Sequence, residues 1–329
     1  MLPRIIRRQV RSLDALHRFD AIHFLNVVSL LGSLPGRQGQ YATINSHQAF
    51  CPKGNLFFME REPCAGCVPL KYLRCMASSR YVGKVRVPWW LRLNPLFLLL
   101  LYLNYLRFRR GLRNVLPVAV SNDVAARLSA QCPGCPVIPN FPPTFRSSPS
   151  RRRTKVSIVY LGSLEAIKGV HLLLGGYRML PPSLAKKTRL IIVGDGHERA
   201  ALEASAPPGA LFVGHLSGEK AWGILAKSDI VVLPSLWPEP LSRVLLEAAA
   251  EGKAVIATNL GGNPDVIGDA GLLVEPSEQS LAESLQRLVS QSSLRHTLGR
   301  KLRKRYLAHF SREVLLNQLE RLYHQRDVV

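Results

Sequence analysis

Two doubly wound α/β domains, the first of them shortened, are the fold that this sequence of 329 residues predicts. Three observations predict it. Short apolar runs rich in β-branched residues alternate with stretches long enough for helices, most of those runs end in glycine or Pro-Ser, and a segment of proline, serine and arginine splits the chain near residue 150. The length is that of about two domains at ~100–200 residues each. With 47% hydrophobic and 20% charged residues, the chain has material for two buried cores. That excludes a disordered, collagen-like or disulfide-scaffold protein.

In chain order, residues 1–10 carry Arg4, Arg7 and Arg8 without the apolar run of a secretory signal. They predict a basic first helix, with an organellar transit peptide as the weaker alternative. Residues 20–25 (DAIHFL), 41–45 (YATIN), 116–120 (LPVAV) and 136–139 (PVIP) read as strands, with His23 and His47 near the ends of the first two. The apolar stretch 96–106 (LFLLLLYLNYL) lies between Pro95 and Arg107, Arg109 and Arg110. It is too short to cross a ~30 Å hydrocarbon core, which takes about 20 residues. Together with Trp89-Trp90 it is either a core helix with a basic flank or a helix lying in a membrane interface.

Residues 142–153 (PPTFRSSPSRRR) read as a linker. The expected organisation is an incomplete first domain at 1–145, a linker at 146–155, a second domain at 156–310 and a C-terminal helix at 311–329. In the second domain the runs 156–161 (VSIVYL), 190–193 (LIIV), 211–213, 230–233 (IVVL) and 254–257 (AVIA) alternate with helical stretches 169–180, 217–227 and 242–252. Such alternation means a parallel sheet covered on both faces. Ligands of these sheets bind at the carboxyl ends of the strands, where the glycines fall here. The tail 280–325 is helical by pattern, and its basic run 300–305 (RKLRKR) reads as a solvated face.

The 44 Lys and Arg outnumber the 22 Asp and Glu, and the excess is lopsided: residues 1–155 hold 24 basic and 5 acidic residues, the remainder 20 and 17. The first half therefore faces something anionic, be it nucleic acid, a membrane surface or an acidic substrate. All six cysteines precede residue 136. Cys64-x2-Cys67 and Cys132-x2-Cys135, with Cys51 and Cys75, have the spacing of zinc ligands, but 64 residues separate the pairs. Structural thiols are the favoured reading, and no metal is assigned.

Chemistry concentrates in residues 237–252 (WPEPLSRVLLEAAAEG). Pro238 and Pro240 hold Glu239 in an extended loop before a helix beginning near Leu241 and Ser242. The apolar stripe Leu241, Val244, Leu245, Ala248, Ala249 leaves Glu247 off to one side. The first amides of that helix, from Leu241, Ser242, Arg243 and Val244, form an anion site. Two carboxylates beside such a site suit a ligand with phosphate and hydroxyls, while a capped surface helix with solvated glutamates is the plainer reading. Residues 162–169 (GSLEAIKG) place Lys168 at the start of another helix, where its charge adds to the helix dipole. Gly194-Asp195-Gly196 is too short for a dinucleotide fingerprint, and no P-loop, HExxH or GxSxG occurs.

GSLEAIKG, VGDG, SLWPEPLSRVLLEAAAEGKAVIATNLGG and GLLVEP, in this order, resemble the donor domain of glycosyltransferase family 4, whose members are retaining enzymes of the GT-B fold. The resemblance is close over about residues 156–325 and looser upstream, through DAIHFLN and TINSHQAFCPKGNLFF. It implies a GT-B-like chain of two Rossmann-like domains and a hexosyltransferase-type activity in cell-surface polysaccharide or glycolipid synthesis. By position, Glu247 would bond the ribose, Glu239 the donor sugar and Lys168 the pyrophosphate. Leu241, Ser242 and Arg243 would offer amides to sugar and pyrophosphate. Gly162, Gly194, Gly261 and Gly262 would let backbone approach the ligand, and His47 would lie beside the anomeric carbon. No cofactor is implied, because the nucleotide sugar is a substrate. Neutralising leaving-group charge is the main demand, and Lys168 with a helix N-terminus can meet it without a metal.

The sequence departs from the family in four places. Ser163 stands where an arginine is usual, Leu241-Ser242 replace Phe-Gly after Glu-Pro, Gln48 replaces an aspartate, and residues 1–20 lack the family's opening glycine-rich loop. The expectation is a chain that begins partway through the acceptor domain. It is expected to be cytoplasmic and peripheral at an anionic membrane, taking a nucleotide-sugar donor and a saccharide or lipid-linked acceptor. The rivals are a non-catalytic homologue acting as a partner subunit and, more weakly, a basic nucleic-acid binder, for which no reader motif is present.

Overall fold

The computed structural model describes residues 2–64, 66–82, 85–141 and 154–324. The expected linker segment at 142–153 lies outside them. The chain divides into two compact units, residues 1–139 with 316–329, and residues 140–315.

The first unit runs through α1 (Leu2–His17), β1 (Ile22–Phe24), β2 (Gln40–Ile44), a ribbon of β3 (Phe57–Phe58) and β4 (Glu62–Pro63), and α2 (Pro69–Ser78). A second ribbon of β5 (Tyr81–Val82) and β6 (Val85–Arg86), then α3 (Trp89–Arg92), α4 (Pro95–Leu112), β7 (Leu116–Ala119) and α5 (Asn122–Leu128) follow. Its sheet is parallel in the order β1-β2-β7, with His23 opposite Tyr41 and Ala42 opposite Pro117. The expected fourth strand at 136–139 is reduced to one bridge, Val137 to Ala119. Ala119 N–H donates to Pro136 O and Ile138 N–H to Ala119 O, each at 2.8 Å. Prolines at both ends of the segment have no N–H with which to extend the ladder.

α4 starts where Asn94 caps the Phe97 amide at 3.0 Å, with Pro95 in the first turn. Only Tyr105, Gly111 and Leu112 of this helix are buried. Leu96, Leu99 and Leu100 are 63%, 53% and 47% exposed, as are Trp89 (68%) and Trp90 (57%) of α3. The core-helix reading of residues 96–106 therefore fails. Among the described residues no helix is long and apolar enough to cross a membrane.

The second unit holds β8 (Val156–Leu161), α6 (Val170–Arg178), α7 (Pro182–Ala185), β9 (Thr188–Val193), α8 (Arg199–Ala204), β10 (Ala210–Gly214) and α9 (Gly218–Ala226). It continues with β11 (Ile230–Leu233), α10 (Arg243–Ala250), β12 (Ala254–Thr258), α11 (Asn263–Ile267), β13 (Leu272–Val274), α12 (Glu278–Ser290) and α13 (Ser292–His309). The six strands are parallel in the order β10-β9-β8-β11-β12-β13. Alternate residues enter two cores, which is why the strands read as unbroken apolar runs. Ile158, Leu190, Ile192, Ile230 and Ile256 pack with Leu173 and Leu174 of α6 and Leu281 and Leu285 of α12. Val159, Ile191, Val231 and Val255 pack with Leu245 and Ala249 of α10 and Leu302 and Tyr306 of α13.

The helical tail breaks into three pieces, α12, α13 and α14 (Arg312–His324). Its basic run is not wholly a solvated face. Leu302 is buried, and Arg305 donates to the carbonyls of Val266 at 3.0 Å and Asp265 at 2.8 Å, at the end of α11. α14 begins in the second unit and ends in the first. There Tyr41 Oη donates to Leu322 O at 3.4 Å, and the Tyr323 hydroxyl pairs with His23 Nδ1.

Candidate functional site

The strand order of the second unit reverses between β8 and β11, and a doubly wound sheet opens a crevice at the carboxyl end of that junction. The loop after β8 carries Lys168 and the loop after β11 carries Glu239. The two side chains meet there: Lys168 Nζ donates to Glu239 Oε1 at 2.8 Å, with side-chain exposures of 14% and 11%. Ser235 Oγ donates to the same oxygen. The Lys168 ammonium also stands 5.2 Å from the centre of the Trp237 ring.

Backbone geometry fixes the pair. Leu236 N–H donates to Ile167 O at 2.8 Å, joining the two loops directly. Gly169 has φ +67°, and a Cβ there would lie 1.9 Å from Pro234 O, so a side chain would force the Lys168 turn off the end of β11. On the other side, Gly261 has φ +58°, and a Cβ would fall 2.2 Å from Glu239 O and 2.6 Å from Glu239 N. Gly262 N–H donates to Glu239 O at 2.8 Å. The Gly261-Gly262 pair thus seats the Glu239 backbone, a contact that the sequence did not reveal. Thr258, at the end of β12, donates to Ser235 O at 2.7 Å, and Asn263 Nδ2 donates to Thr258 O at 3.0 Å.

Gly162 and Gly194 end β8 and β9 side by side, and a Cβ on Gly194 would lie 1.8 Å from Gly162 O. Beneath them Tyr160 donates to Ser163 O at 2.8 Å, and burial holds its phenol well above the usual range, with Glu239 and Glu165 adding to the shift. Ser163 Oγ is buried without a hydrogen-bond partner, and so is Asn263 Oδ1. A native protein seldom leaves such groups unmatched unless a ligand or water completes them.

α10 begins at Arg243, one residue after the start of the expected stretch 242–252, with Ser242 accepting from the Leu245 amide at 3.4 Å as N-cap. Its first amides are left by helix geometry for an anion. The buried face takes in Leu246 as well as Leu245, Ala248 and Ala249, while Leu241 and Val244 pack partly against the same core. Glu247 stays off that face, half-buried. Burial raises its carboxyl above the ordinary value, and Arg243 opposes the shift.

His47 belongs to the first unit, where it opens a short 3-10 turn after β2 and is fully buried. The fold brings the remaining predicted residues to the strand ends of the second unit and to the start of α10, except Glu247, which lies midway along that helix. Sequence reasoning missed Ser235, Trp237, Tyr160 and Asn263. Ser235 and Trp237 stand beside Glu239 in the quoted motif, and that adjacency was the available signal.

Residues 143–305 match the family model described as glycosyl transferases group 1. The capsular polysaccharide biosynthesis glycosyltransferase CapM of Staphylococcus aureus is 27% identical over 175 residues, 50% of this chain and 45% of that protein. The match spans about half or less of the length of the curated relatives. Among solved structures, sucrose-phosphate synthase from Thermosynechococcus elongatus superposes with a TM-score of 0.67 at 20% identity, covering 98% of this chain and 78% of that one. The Anabaena protein HepE, in complex with UDP and glucose, superposes with a TM-score of 0.66 at 17% identity, covering 97% and 81%. At these identities the likeness is one of fold. The chain has the GT-B fold, and its second half carries a glycosyl transferases group 1 domain.

Proposed function

We propose that this chain is a retaining family 4 glycosyltransferase that moves a hexose from a nucleoside-diphosphate sugar to a saccharide or lipid-linked acceptor. The observation that carries the proposal is the buried Lys168–Glu239 pair at the strand-order reversal, beside the N-terminus of α10. The difficult moment of glycosyl transfer is departure of a diphosphate, whose charge must be neutralised as it develops. Lys168 supplies a point charge and the first amides of α10 supply a dipole. Glu239, held through Oε1 by Lys168 and Ser235, faces the sugar, and Glu247 accepts from the ribose. Ser163 Oγ offers one hydroxyl where the family usually has an arginine, so more of the phosphate interaction rests on Lys168.

UDP is the nucleotide to try first, because HepE was solved with it. Calorimetry with UDP, GDP, ADP and uridine tests the reading. One diphosphate should bind at least tenfold more tightly than its nucleoside, and Lys168→Ala should abolish the difference. Equal affinity for UDP and uridine, with no preference for another diphosphate, would overturn the pyrophosphate role. His47→Ala should lower turnover and leave nucleotide affinity unchanged. Nucleotide binding without turnover of any sugar donor would favour the partner-subunit rival.

The acceptor side is read from the first unit. Trp89, Trp90, Leu93, Leu96, Leu99 and Leu100 are exposed on α3 and α4, with Arg107, Arg109 and Arg110 at the far end of α4. Apolar wedges framed by arginines suit an anionic membrane surface, each nearby basic residue contributing ~1 kcal/mol. Vesicles with and without anionic lipid provide the test, and equal binding to both would remove the electrostatic part.

A further inference from the structure

Four of the six cysteines surround one small cavity of the first unit. Cys51, Cys64, Cys67 and Cys75 line it with Lys53, Lys71, Leu56, Phe57, Phe58 and Tyr72. The sequence pairs Cys64-x2-Cys67 with Cys132-x2-Cys135, but the fold does not. Cys135 sits after α5, its thiol turned to Pro117 O at 3.1 Å. Cys64 and Cys67 instead share the cavity with Cys51, from the turn after β2, and Cys75, from the buried face of α2. The resulting pattern is Cys-x12-Cys-x2-Cys-x7-Cys.

A second observation gives the cavity its chemistry. Lys53 is 2% exposed, and its ammonium donates to Phe57 O at 2.6 Å and Ser79 Oγ at 2.8 Å, both neutral acceptors. Among the described residues, no salt bridge involves it. A buried cation is costly unless a negative charge lies near it. The lining side chains that can become negative are the four thiols and the Tyr72 phenol. Burial pushes that phenol further up while its hydroxyl donates to Leu98 O at 2.9 Å, which leaves the thiols. Neutral thiols or disulfides leave the ammonium unbalanced, whereas four thiolates around a divalent ion carry two net negative charges. Lys53 and Lys71 line the same cavity and match them.

We propose that Cys51, Cys64, Cys67 and Cys75 are the four ligands of one structural Zn²⁺ ion. Soft thiolates in a closed set of four are the donor set of structural zinc. On binding, four thiols release four protons to solvent and form four Zn–S bonds, with no change of oxidation state. As the side chains lie, no three potential ligands among the described residues are placed to hold an ion. The Cys64 thiol is turned onto Gly66 O at 3.1 Å and the Cys67 thiol towards Val68 O at 3.9 Å. Ligation requires these thiols to turn inward. Cys75 Sγ already accepts the Met59 amide at 3.4 Å, the kind of outer hydrogen bond that orients a ligand. The segment has reason to need a staple. Its regular structure is two ribbons of two-residue strands and one helix, and Leu56, Met59 and Glu60 all have positive φ.

Metal analysis of the full chain, purified under reducing conditions without chelator, tests this. One zinc per chain is expected. It should fall below a tenth in Cys64→Ser and Cys67→Ser and be retained in the Cys132→Ser, Cys135→Ser double variant. Should the single variants fail to fold, Co²⁺ exchange into the unmodified protein decides, with intense thiolate-to-cobalt charge-transfer bands and tetrahedral d–d bands expected. Folded, reduced protein that retains neither Zn²⁺ nor Co²⁺ after desalting would overturn the proposal. So would a mass showing two disulfides among these four residues.

Discussion

In the second unit, six parallel strands are apolar on both faces and helices cover each side. In the first, three strands of three to five residues make up the sheet, and long stretches of chain run through two-residue ribbons and an exposed apolar helix. The second unit has core enough to hold its loops in conformations that only glycine tolerates, and it spends that rigidity on the Lys168–Glu239 pair. The first leaves apolar surface in water and gathers cysteines where packing is thin. Rigidity suits the proposed site for a charged ligand, while exposed apolar area suits the proposed attachment to a membrane.

The largest effect expected from breaking this contrast is at Gly261. Its Cβ would enter the backbone of Glu239 at 2.2 Å, so Gly261→Ala should cost ~3 kcal/mol and most of the UDP affinity. The same change at Gly36 in the first unit, φ +76° with nothing within 4 Å, should cost only ~1 kcal/mol. Chemical denaturation of the two variants measures the difference, and equal losses would show that the close approach at Gly261 is not maintained in solution. Next in size, Leu173→Ala in α6, where the side chain is 0% exposed, should cost ~3 kcal/mol by leaving a cavity. Leu99→Ala in α4 should stay within ~0.5 kcal/mol yet weaken vesicle binding several-fold. A large loss of stability at Leu99 would mean that α4 is covered by protein, and the membrane reading would fall with it.

The same contrast governs how much could be read from the chain. Runs such as VSIVYL and IVVL are strands within a residue or two of their expected bounds, because a strand buried on both faces writes itself as continuous apolar sequence. PVIP has the same apolar content, but its prolines cannot donate to a ladder. Lys168 and Glu239 were singled out in the sequence, but spacing alone favoured solvated surface residues, and only the family resemblance put them at one site. Ser235 and Asn263 were not legible, since their roles arise only when the loops after β8, β11 and β12 nest together. The cysteines mislead for a related reason. Spacing pairs Cys64-x2-Cys67 with the only other such motif, whereas the chain path returns Cys51 and Cys75 to the first pair.

The effect at Glu247 is the most specific, because stability and binding should move in opposite directions at one residue. Burial raises the Glu247 carboxyl above its ordinary value of 4.5, Arg243 only partly opposing it. A carboxyl raised in the folded state contributes stability that is fully present below the unfolded value and is lost as pH rises through the folded one. Glu247→Gln should therefore match the wild type in thermal midpoint below about pH 4.5, exceed it progressively as pH rises from there through the folded value, and keep a constant lead above it. Nucleotide affinity should do the reverse. The ribose hydroxyls need an ionised acceptor, so wild-type affinity should climb through the same window while the glutamine variant stays flat and weaker, by ~1.5–3 kcal/mol for a lost charged hydrogen bond. A thermal shift with no affinity change would leave Glu247 a buried acid beside the site rather than part of it. An affinity change independent of pH would mean that its contact with the nucleotide does not depend on charge.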